Sequence, residues 1–327
     1  MATQFSFVGA LSNAFRAAHP RTFPWIFAAV YALVVTLFVV IVGLLSKDDL
    51  LAFIQAIEAL ENATIDESDP GAVLALVFGT MTPLIPWGIA ASIGAWVMWA
   101  VFEAASQRRY VRDERFSVRL GSDELRMMAV GLFWSLLYLA CFGLPALSLL
   151  NGILDILEGA AGGMSENELG RRVIPVVFGG MGLMLLAFPV YVFFATRLSP
   201  CFAMTIKDRR IVFFDAWNVS RGRFWPILGA YLIIAIVGGI IVGAVGQAFE
   251  MAILSRSLSG VGNVQTSDDA IRLLFSPAVL VPIGLYTFVR MFLSALLQHF
   301  SGGPAAFAAR HDPRGGVDDT ARMAVFD

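Results

Sequence analysis

The sequence predicts an all-α integral membrane protein, folded as a helical bundle with about six transmembrane helices. Composition is the first observation: 58% of the 327 residues are hydrophobic and 15% are charged, and the mean hydropathy of +0.75 lies outside the range of water-soluble domains. The second is that six stretches are long and apolar enough to cross a bilayer core of about 30 Å. The third is that Lys and Arg are concentrated in alternate connecting segments.

Five of the predicted spans contain no charged residue: 22–46, 71–102, 127–154, 173–196 and 224–249. The first follows Arg16 and Arg21 as the apolar part of a secretory signal would. It is too long for a signal and no cleavage pattern follows it, so we expect a retained helix. The sixth span begins after Arg272 and contains Arg290, and its apolar character predicts an inner boundary at residues 290–293.

Basic residues predict the orientation of the spans. The N-terminal segment, residues 106–126, residues 197–223 and the tail after residue 300 hold 17 of the 23 Lys and Arg residues. Since positively charged loops stay in the cytoplasm, both termini are predicted to be cytoplasmic and the 47–70 loop to be outside. In that loop Asp48 and Asp49 precede apolar residues at helical spacing, which predicts a short amphipathic helix packed across the outer helix ends.

An internal repeat is visible at the odd-numbered spans, which begin with similar aromatic residues. Trp25 and Trp225 each precede a tyrosine by six residues, and Trp134 lies at the corresponding place in the third span. Residues 111–116 align with residues 206–211 at an offset of 95, and Arg126 aligns with Arg221 at the same offset.

We therefore expect three repeats, each a basic amphipathic segment followed by a helical hairpin, over residues 1–105, 106–199 and 200–300. Together they would form a single membrane domain, followed by a flexible cytoplasmic tail over residues 301–327. The alternative is that aromatic residues merely form the belt that is common to membrane helices, although a belt does not explain the shared offset.

A family resemblance lies around the start of the third repeat. It is carried by Arg197-Leu198-Ser199-Pro200 and by residues 215–225, which read Asp-Ala-Trp-Asn-Val-Ser-Arg-Gly-Arg-Phe-Trp. These segments resemble the membrane-domain family found fused to, or independent of, glycerophosphodiester phosphodiesterases. The resemblance implies a multi-pass inner-membrane module linked to envelope or lipid homeostasis. It implies no phosphodiesterase activity, because no soluble segment is long enough for the barrel of that enzyme.

Motifs for metal, cofactor or nucleotide chemistry are not found in the sequence. His19, His299 and His311 have no metal-ligand spacing, and no phosphate-binding loop or nucleophile elbow occurs, so we expect no metal, no cofactor and no catalytic residue. Cys141 and Cys201 lie in different apolar stretches and are interpreted as packing residues. Small residues at 235, 239 and 243 predict close helix packing inside the monomer.

Two sets of candidate site residues remain. The basic segments lie next to the membrane, which favours contact with anionic lipid over nucleic acid. The candidate lipid contacts are Arg108, Arg109, Arg112, Arg115, Lys207, Arg209, Arg210, Arg221 and Arg223. The repeat also places three charged residues at equivalent levels, and a candidate charge cluster is expected in which Glu103 pairs with Arg197 or Arg290.

These observations predict a non-enzymatic protein of the bacterial inner membrane that binds lipid or a protein partner and serves membrane or envelope homeostasis. The alternative is a transporter or channel for a small or amphipathic molecule, although the scarcity of acidic residues within the spans argues against ion-coupled transport. A membrane-embedded lipid enzyme is a third possibility, but no cluster of carboxylates or histidines supports it.

Overall fold

The computed structural model describes residues 5–16, 21–62, 78–161, 163–257 and 266–312. Within these ranges the regular structure is helical and no strand occurs. Six helices are long and apolar enough to cross a membrane, which confirms the predicted class and the number of spans.

The six spanning helices are α2 (Phe23–Leu45), α4 (Ile85–Arg112), α5 (Ser122–Ala161), α6 (Glu166–Leu198), α9 (Phe224–Ser257) and α11 (Pro277–Arg310). Four of the six, α5, α6, α9 and α11, are longer than the apolar stretches that predicted them. The shorter helices are α1 (Phe7–Arg16), α3 (Lys47–Asn62), α7 (Cys201–Asp208), α8 (Ala216–Val219) and α10 (Ser267–Leu274). A 3₁₀ turn over Thr82–Leu84 leads into α4.

Local sequence explains several of the helix starts. Ser165 accepts a hydrogen bond from the Glu168 backbone N–H while the Glu168 side chain accepts from the backbone of Ser165, which is a complete capping box at the start of α6. Thr266 caps α10 through the backbone N–H of Asp269. In α2 a proline lies in the first turn, where the missing N–H would have had no helical partner.

Helix α11 is the centre of the bundle. It packs against α2 and α9 over most of its length, and near its end also against α1, α4 and α7. Helices α5 and α6 form a second antiparallel pair, which joins the rest through the contacts of α5 with α4 and α7. Helices α6 and α9 approach each other only weakly, so an opening is left between them.

The buried core lies at one end of the molecule and not along the spans. Only 6% to 17% of the residues in the apolar window of each span are buried, as expected where lipid covers the helices. Continuous burial is found instead over residues 100–110 of α4, and residues 302–309 of α11 are buried except for the partly buried Phe307. We call α1, α7, α8 and these two helix ends the terminal bundle, because Phe5 and His311, near the ends of the described chain, meet there at a ring distance of 5.7 Å.

The predicted boundary between the membrane domain and a tail at residue 300 is wrong. Helix α11 continues past the predicted inner boundary at residues 290–293 and ends at Arg310. A Gly-Gly-Pro sequence at 302–304 suggests a break, but the glycines serve close packing: a Cβ on Gly303 would lie 2.5 Å from the Ala14 Cα in α1, and the Asn13 side chain donates to the Gly303 carbonyl at 2.9 Å. Residues 313–327 of the predicted tail lie outside the described residues.

At the opposite end of the molecule, the helix predicted after Lys47 is present as α3. It packs against α10 and against the 3₁₀ turn, and the Trp87 indole N–H donates to Asp49 at 2.6 Å. Helix α3 therefore lies beside the start of α4, and its position on the outer side of the membrane stays a prediction. Residues 63–77 of the same loop lie outside the described residues.

Close packing in α9 involves different glycines from those predicted. A Cβ on Gly239 or Gly243 would meet no atom within 4 Å, whereas a Cβ on Gly238 would lie 2.3 Å from Leu297 of α11. The predicted packing stripe at 235, 239 and 243 is therefore wrong, because α9 turns an adjacent face toward α11.

The threefold repeat stays a prediction. Asp113 and Arg209 follow the ends of α4 and α7, and both have the left-handed conformation, with φ of 53° and 54°. Their separation in sequence is one residue more than the predicted offset of 95. At the offset of 95, residues 113–120 correspond to residues 208–215, which are also non-helical apart from Asp208. However, α7 is a separate short helix, whereas its counterpart at residues 106–113 covers the end of the long helix α4.

Candidate functional site

Three arginines predicted to contact lipid are part of the terminal bundle. Arg108 is 1% exposed and its guanidinium contacts Glu124, which is fully buried, and Asp123 at 3.9 Å. Arg112 pairs with Asp123 at 2.7 Å and donates to the Ile206 carbonyl of α7. The ion pairs connect α4 to α5, and the hydrogen bond to Ile206 connects α4 to α7.

Arg109 is also withdrawn from the surface. Its side chain is 5% exposed, pairs with Asp113 at 2.6 Å and lies 5.6 Å from the centre of the Phe23 ring. The burial of Arg108 and Arg109 contradicts the predicted lipid contact for these two residues. Arg112, which is 16% exposed, is paired with Asp123, and its contact with lipid stays a prediction.

Two residues of the second basic segment close the end of α11. Lys207 donates to the Ala309 carbonyl at 3.1 Å, and Arg223 donates to the His311 carbonyl at 2.7 Å. Cations at a helix C-terminus satisfy carbonyls that have no helical partner and complement the helix dipole. The structure thus gives Lys207 and Arg223 a role in holding the helix end.

The remaining candidate lipid contacts are exposed. Arg115, Arg209, Arg210 and Arg221 all lie at the surface beside the terminal bundle. Arg210 forms an ion pair with Asp215 at 3.0 Å, but an exposed pair of this kind contributes little free energy and exchanges readily. These four arginines form a cationic rim next to the membrane spans, and we refer to them as the rim arginines.

The predicted charge cluster is not assembled. Glu103 is buried, and its two oxygens accept hydrogen bonds from the side-chain amides of Gln107 at 2.8 Å and Gln298 at 3.0 Å. Among the described residues no Lys or Arg nitrogen lies within 4.0 Å of it. A carboxyl group at the end of an apolar span is therefore held by neutral amides and not by Arg197 or Arg290.

Arg290 lies elsewhere in the bundle. It is exposed on α11, and its Nη1 lies 3.1 Å from the position that a Cβ on Gly246 of α9 would occupy. Helix α11 continues to Arg310, so Arg290 does not lie at the end of the helix.

Arg197 is surrounded by aromatic rings. Its guanidinium carbon lies 5.7 Å, 5.4 Å and 5.5 Å from the ring centres of Phe193, Trp217 and Phe224, and Nη1 donates to the Ser220 carbonyl at 2.9 Å. The two segments that carry the family resemblance, 197–200 and 215–225, meet at this side chain. Sequence comparison of the repeats had placed Arg197 with Glu103 and missed these aromatic partners.

A second buried polar group was also missed. The His299 Nδ1 lies 2.8 Å from the Ser106 hydroxyl oxygen, and the Tyr110 hydroxyl donates to the His299 carbonyl at 2.9 Å. The sequence contains a signal for the buried polar side chains of α4. Gln107 follows Glu103 by four residues and Tyr110 follows Gln107 by three, so these side chains share one face of the helix.

Metal and thiol chemistry receive no support in the part of the chain that the structure describes. No group of three metal-ligating side chains occurs there, and both cysteines are free. The Cys201 sulfur accepts the Trp134 indole N–H at 3.2 Å, which fits a packing residue.

Comparison with protein families, with characterised proteins and with solved structures finds no match for this chain. What the composition and the six spans establish together is a multi-pass helical membrane protein.

Proposed function

We propose that this protein is a non-enzymatic module of the bacterial inner membrane that binds anionic lipid at the cytoplasmic leaflet, with both termini in the cytoplasm. The observation that carries this proposal is the cationic rim: Arg115, Arg209, Arg210 and Arg221 remain exposed beside the spans, while Arg108, Arg109 and Arg112 are engaged inside the fold. Exposed basic residues next to a membrane attract anionic headgroups by about 1 kcal/mol each.

Aromatic residues support this placement of the membrane. Trp25 and Trp225, at the starts of α2 and α9, are 59% and 76% exposed. Exposed tryptophans at helix starts are typical of the headgroup layer. They lie toward the same end of the bundle as the rim arginines, which fits a cytoplasmic surface by the positive-inside rule.

The proposal includes the resemblance to the phosphodiesterase-associated membrane domains. It also includes a role in membrane or envelope homeostasis, which the protein would serve by binding lipid or a partner protein.

The pair of Ser106 and His299 is a candidate for a catalytic role. Both side chains are fully buried, so a substrate cannot reach the hydroxyl, and the pair is better explained as a link between α4 and α11.

A transporter or channel is the second candidate function, and Glu103 is the observation that favours it. Ionisable residues buried at membrane depth commonly mark ion or substrate pathways. If proteoliposomes show a proton or alkali-cation flux that Glu103→Gln abolishes, the transporter is the better assignment.

Lipid preference tests the main proposal. In nanodiscs of phosphatidylglycerol and phosphatidylcholine, with one lipid brominated at a time, quenching of tryptophan fluorescence reports which lipid lies against the lipid-accessible tryptophans, among them Trp25 and Trp225. We expect enrichment of phosphatidylglycerol that weakens with salt, because exposed charges are screened.

Glutamine at the four rim arginines should remove the enrichment. The matched control replaces Arg171 and Arg172, which are exposed at the other end of the spans. Equal enrichment in the rim variant and the wild-type protein would refute the proposal.

A further inference from the structure

Arg197 differs from the other withdrawn arginines in having no counter-ion. Arg108, Arg109 and Arg112 each lie within 4.0 Å of a carboxylate, whereas in the described part of the chain no carboxylate oxygen lies that close to Arg197. Its charge is only partly exposed. An arginine in this position, with rings on several sides, retains an unmet attraction for an anion.

Most of the hydrogen-bonding capacity of Arg197 is also unused. A guanidinium has five N–H donors, and within the described residues only Nη1 has an acceptor, the Ser220 carbonyl. Nε is buried and has none. The contacts with Phe193, Trp217 and Phe224 hold the guanidinium in place without using its donors.

An apolar cleft opens next to this cation, between α6 and α9. It has a volume of about 370 Å³ and is lined almost entirely by apolar atoms. Its lining includes Trp134, Phe188, Tyr191, Leu228, Tyr231 and Ala235. Phe188 is 59% exposed and Leu232, another lining residue, is 50% exposed, so the cleft is reachable from the lipid side.

The cleft and Arg197 are connected along α9. Leu228 follows Phe224 by one helical turn on the same face, so the cleft begins one turn beyond the ring that contacts the guanidinium. On α6, Arg197 lies on a different face from the residues that line the cleft. The guanidinium therefore lies near the mouth of the apolar opening and not inside it, toward the end of α9 that carries the exposed Trp225 and Arg221.

We infer that Arg197 and the α6/α9 cleft form one binding site for a phosphate-bearing lipid, with the phosphate on the guanidinium and an acyl chain in the cleft. Planar N–H donors match phosphate oxygens in pairs, and the aromatic rings accept the apolar part of the headgroup region. The inference deepens the proposed function, since it rests on anionic lipid being present at this leaflet. It differs from the cationic rim in predicting one tightly held lipid and not general enrichment.

Native mass spectrometry of the purified protein tests this site, with phosphatidylglycerol added to the detergent solution. We expect one lipid per chain to survive mild activation, and Arg197→Gln to reduce its retention at least about tenfold, since charge-assisted hydrogen bonds are lost. Ala235→Phe, which fills the cleft without touching the cation, should reduce retention as well. Glutamine at the four rim arginines should leave this bound lipid in place.

The outcomes separate the two proposals and the two sources of phosphate. Retention at the wild-type level in both Arg197→Gln and Ala235→Phe overturns the site, even if the rim variant loses enrichment in nanodiscs. Because the two substitutions act on different parts of the site, poor folding of one leaves the other decisive. Inorganic phosphate or glycerol 3-phosphate at millimolar concentration should not displace the lipid, and if either does so completely, the site binds soluble phosphate and the lipid assignment is wrong.

Discussion

Arg108 and Arg115 lie seven residues apart in one basic segment, yet the structure assigns them opposite environments. Arg108 is on the last turns of α4 and meets Glu124, whereas Arg115 follows the end of the helix and is exposed. The difference arises because α4 continues past the apolar stretch that predicted it, which turns Arg108 toward α5. Composition alone cannot distinguish the two residues.

Replacing Arg108 with glutamine should destabilise the protein by about 3–5 kcal/mol, because the fully buried Glu124 then keeps only the exposed Arg119 as a cationic neighbour, at 3.9 Å. Arg115→Gln is the matched control and should change stability by no more than about 0.5 kcal/mol. Thermal unfolding in detergent, followed by circular dichroism, compares the two. Similar melting temperatures for the two variants would show that the buried pair of Arg108 and Glu124 contributes no more to stability than the exposed Arg115 does.

Glu103 presents a different case, since its hydrogen-bond partners are amides. Glu103→Gln keeps the size of the side chain and one of its two acceptor oxygens. Its new NH2 group can donate to the Gln107 amide oxygen, which is buried without a partner in the described part of the chain, once that amide rotates. We therefore expect a thermal stability close to that of the wild-type protein. Glu103→Ala should lose about 1–3 kcal/mol, because it leaves the buried donors of Gln107 and Gln298 unpaired.

The comparison of these two variants tests the amide environment. If Glu103→Gln destabilises the protein as much as Glu103→Ala, then the charge itself is required, and an ion pair such as the predicted one with Arg290 would have to form in the membrane.

At the scale of the elements, the helix ends were the least predictable feature. The length of an apolar stretch is set by the thickness of the bilayer and not by the length of the helix. Helices α4 and α11 both continue beyond their apolar stretches into the terminal bundle, where protein surrounds them and not lipid. For α11 the inner boundary was predicted from Arg290 and from the weaker apolar character that follows it, and neither of these ends the helix. Farther along, Gly303 allows the backbones of α11 and α1 to approach closely.

Gly303→Ala should therefore weaken the docking of α1 on α11. The added methyl group would overlap the Ala14 backbone, which cannot move as a flexible side chain would, and we expect a cost of about 1–3 kcal/mol. Gly239→Ala in α9 is the control, because its methyl group would meet no atom within 4 Å. Thermal unfolding and limited proteolysis near the N-terminus measure the effect, and equal behaviour of the two variants would contradict the packing described here.

On the scale of the whole molecule, the sequence was sufficient for the class and the number of spans, because both follow from length and hydrophobicity. It could not predict that α11, the span that contains the charged Arg290, is the centre of the bundle. That position depends on contacts between distant residues, such as Phe23 with His299, whose rings lie 5.1 Å apart. The same limit applies to Arg197, whose ring partner Trp217 and acceptor Ser220 lie in the segment before the next span.

Orientation is the property of the whole molecule that a direct experiment can decide. The experiment replaces Arg119 and Arg171 by cysteine, one at a time, in a variant that lacks Cys141. Arg119 is 48% exposed beside the terminal bundle, and Arg171 is exposed near the start of α6. Cys201 is fully buried and stays unreactive. Since the excess of arginine lies around the terminal bundle, the positive-inside rule places Arg119 in the cytoplasm and Arg171 outside.

A membrane-impermeant maleimide should therefore label Arg171→Cys in intact cells and label Arg119→Cys only after the inner membrane is permeabilised. Denatured samples of both variants serve as the control for reactivity. Labelling of Arg119→Cys in intact cells would place the terminal bundle outside, where the rim arginines and Arg197 would face the opposite leaflet. Both lipid proposals would then fail for the cytoplasmic leaflet, although the contacts within the chain would be unchanged.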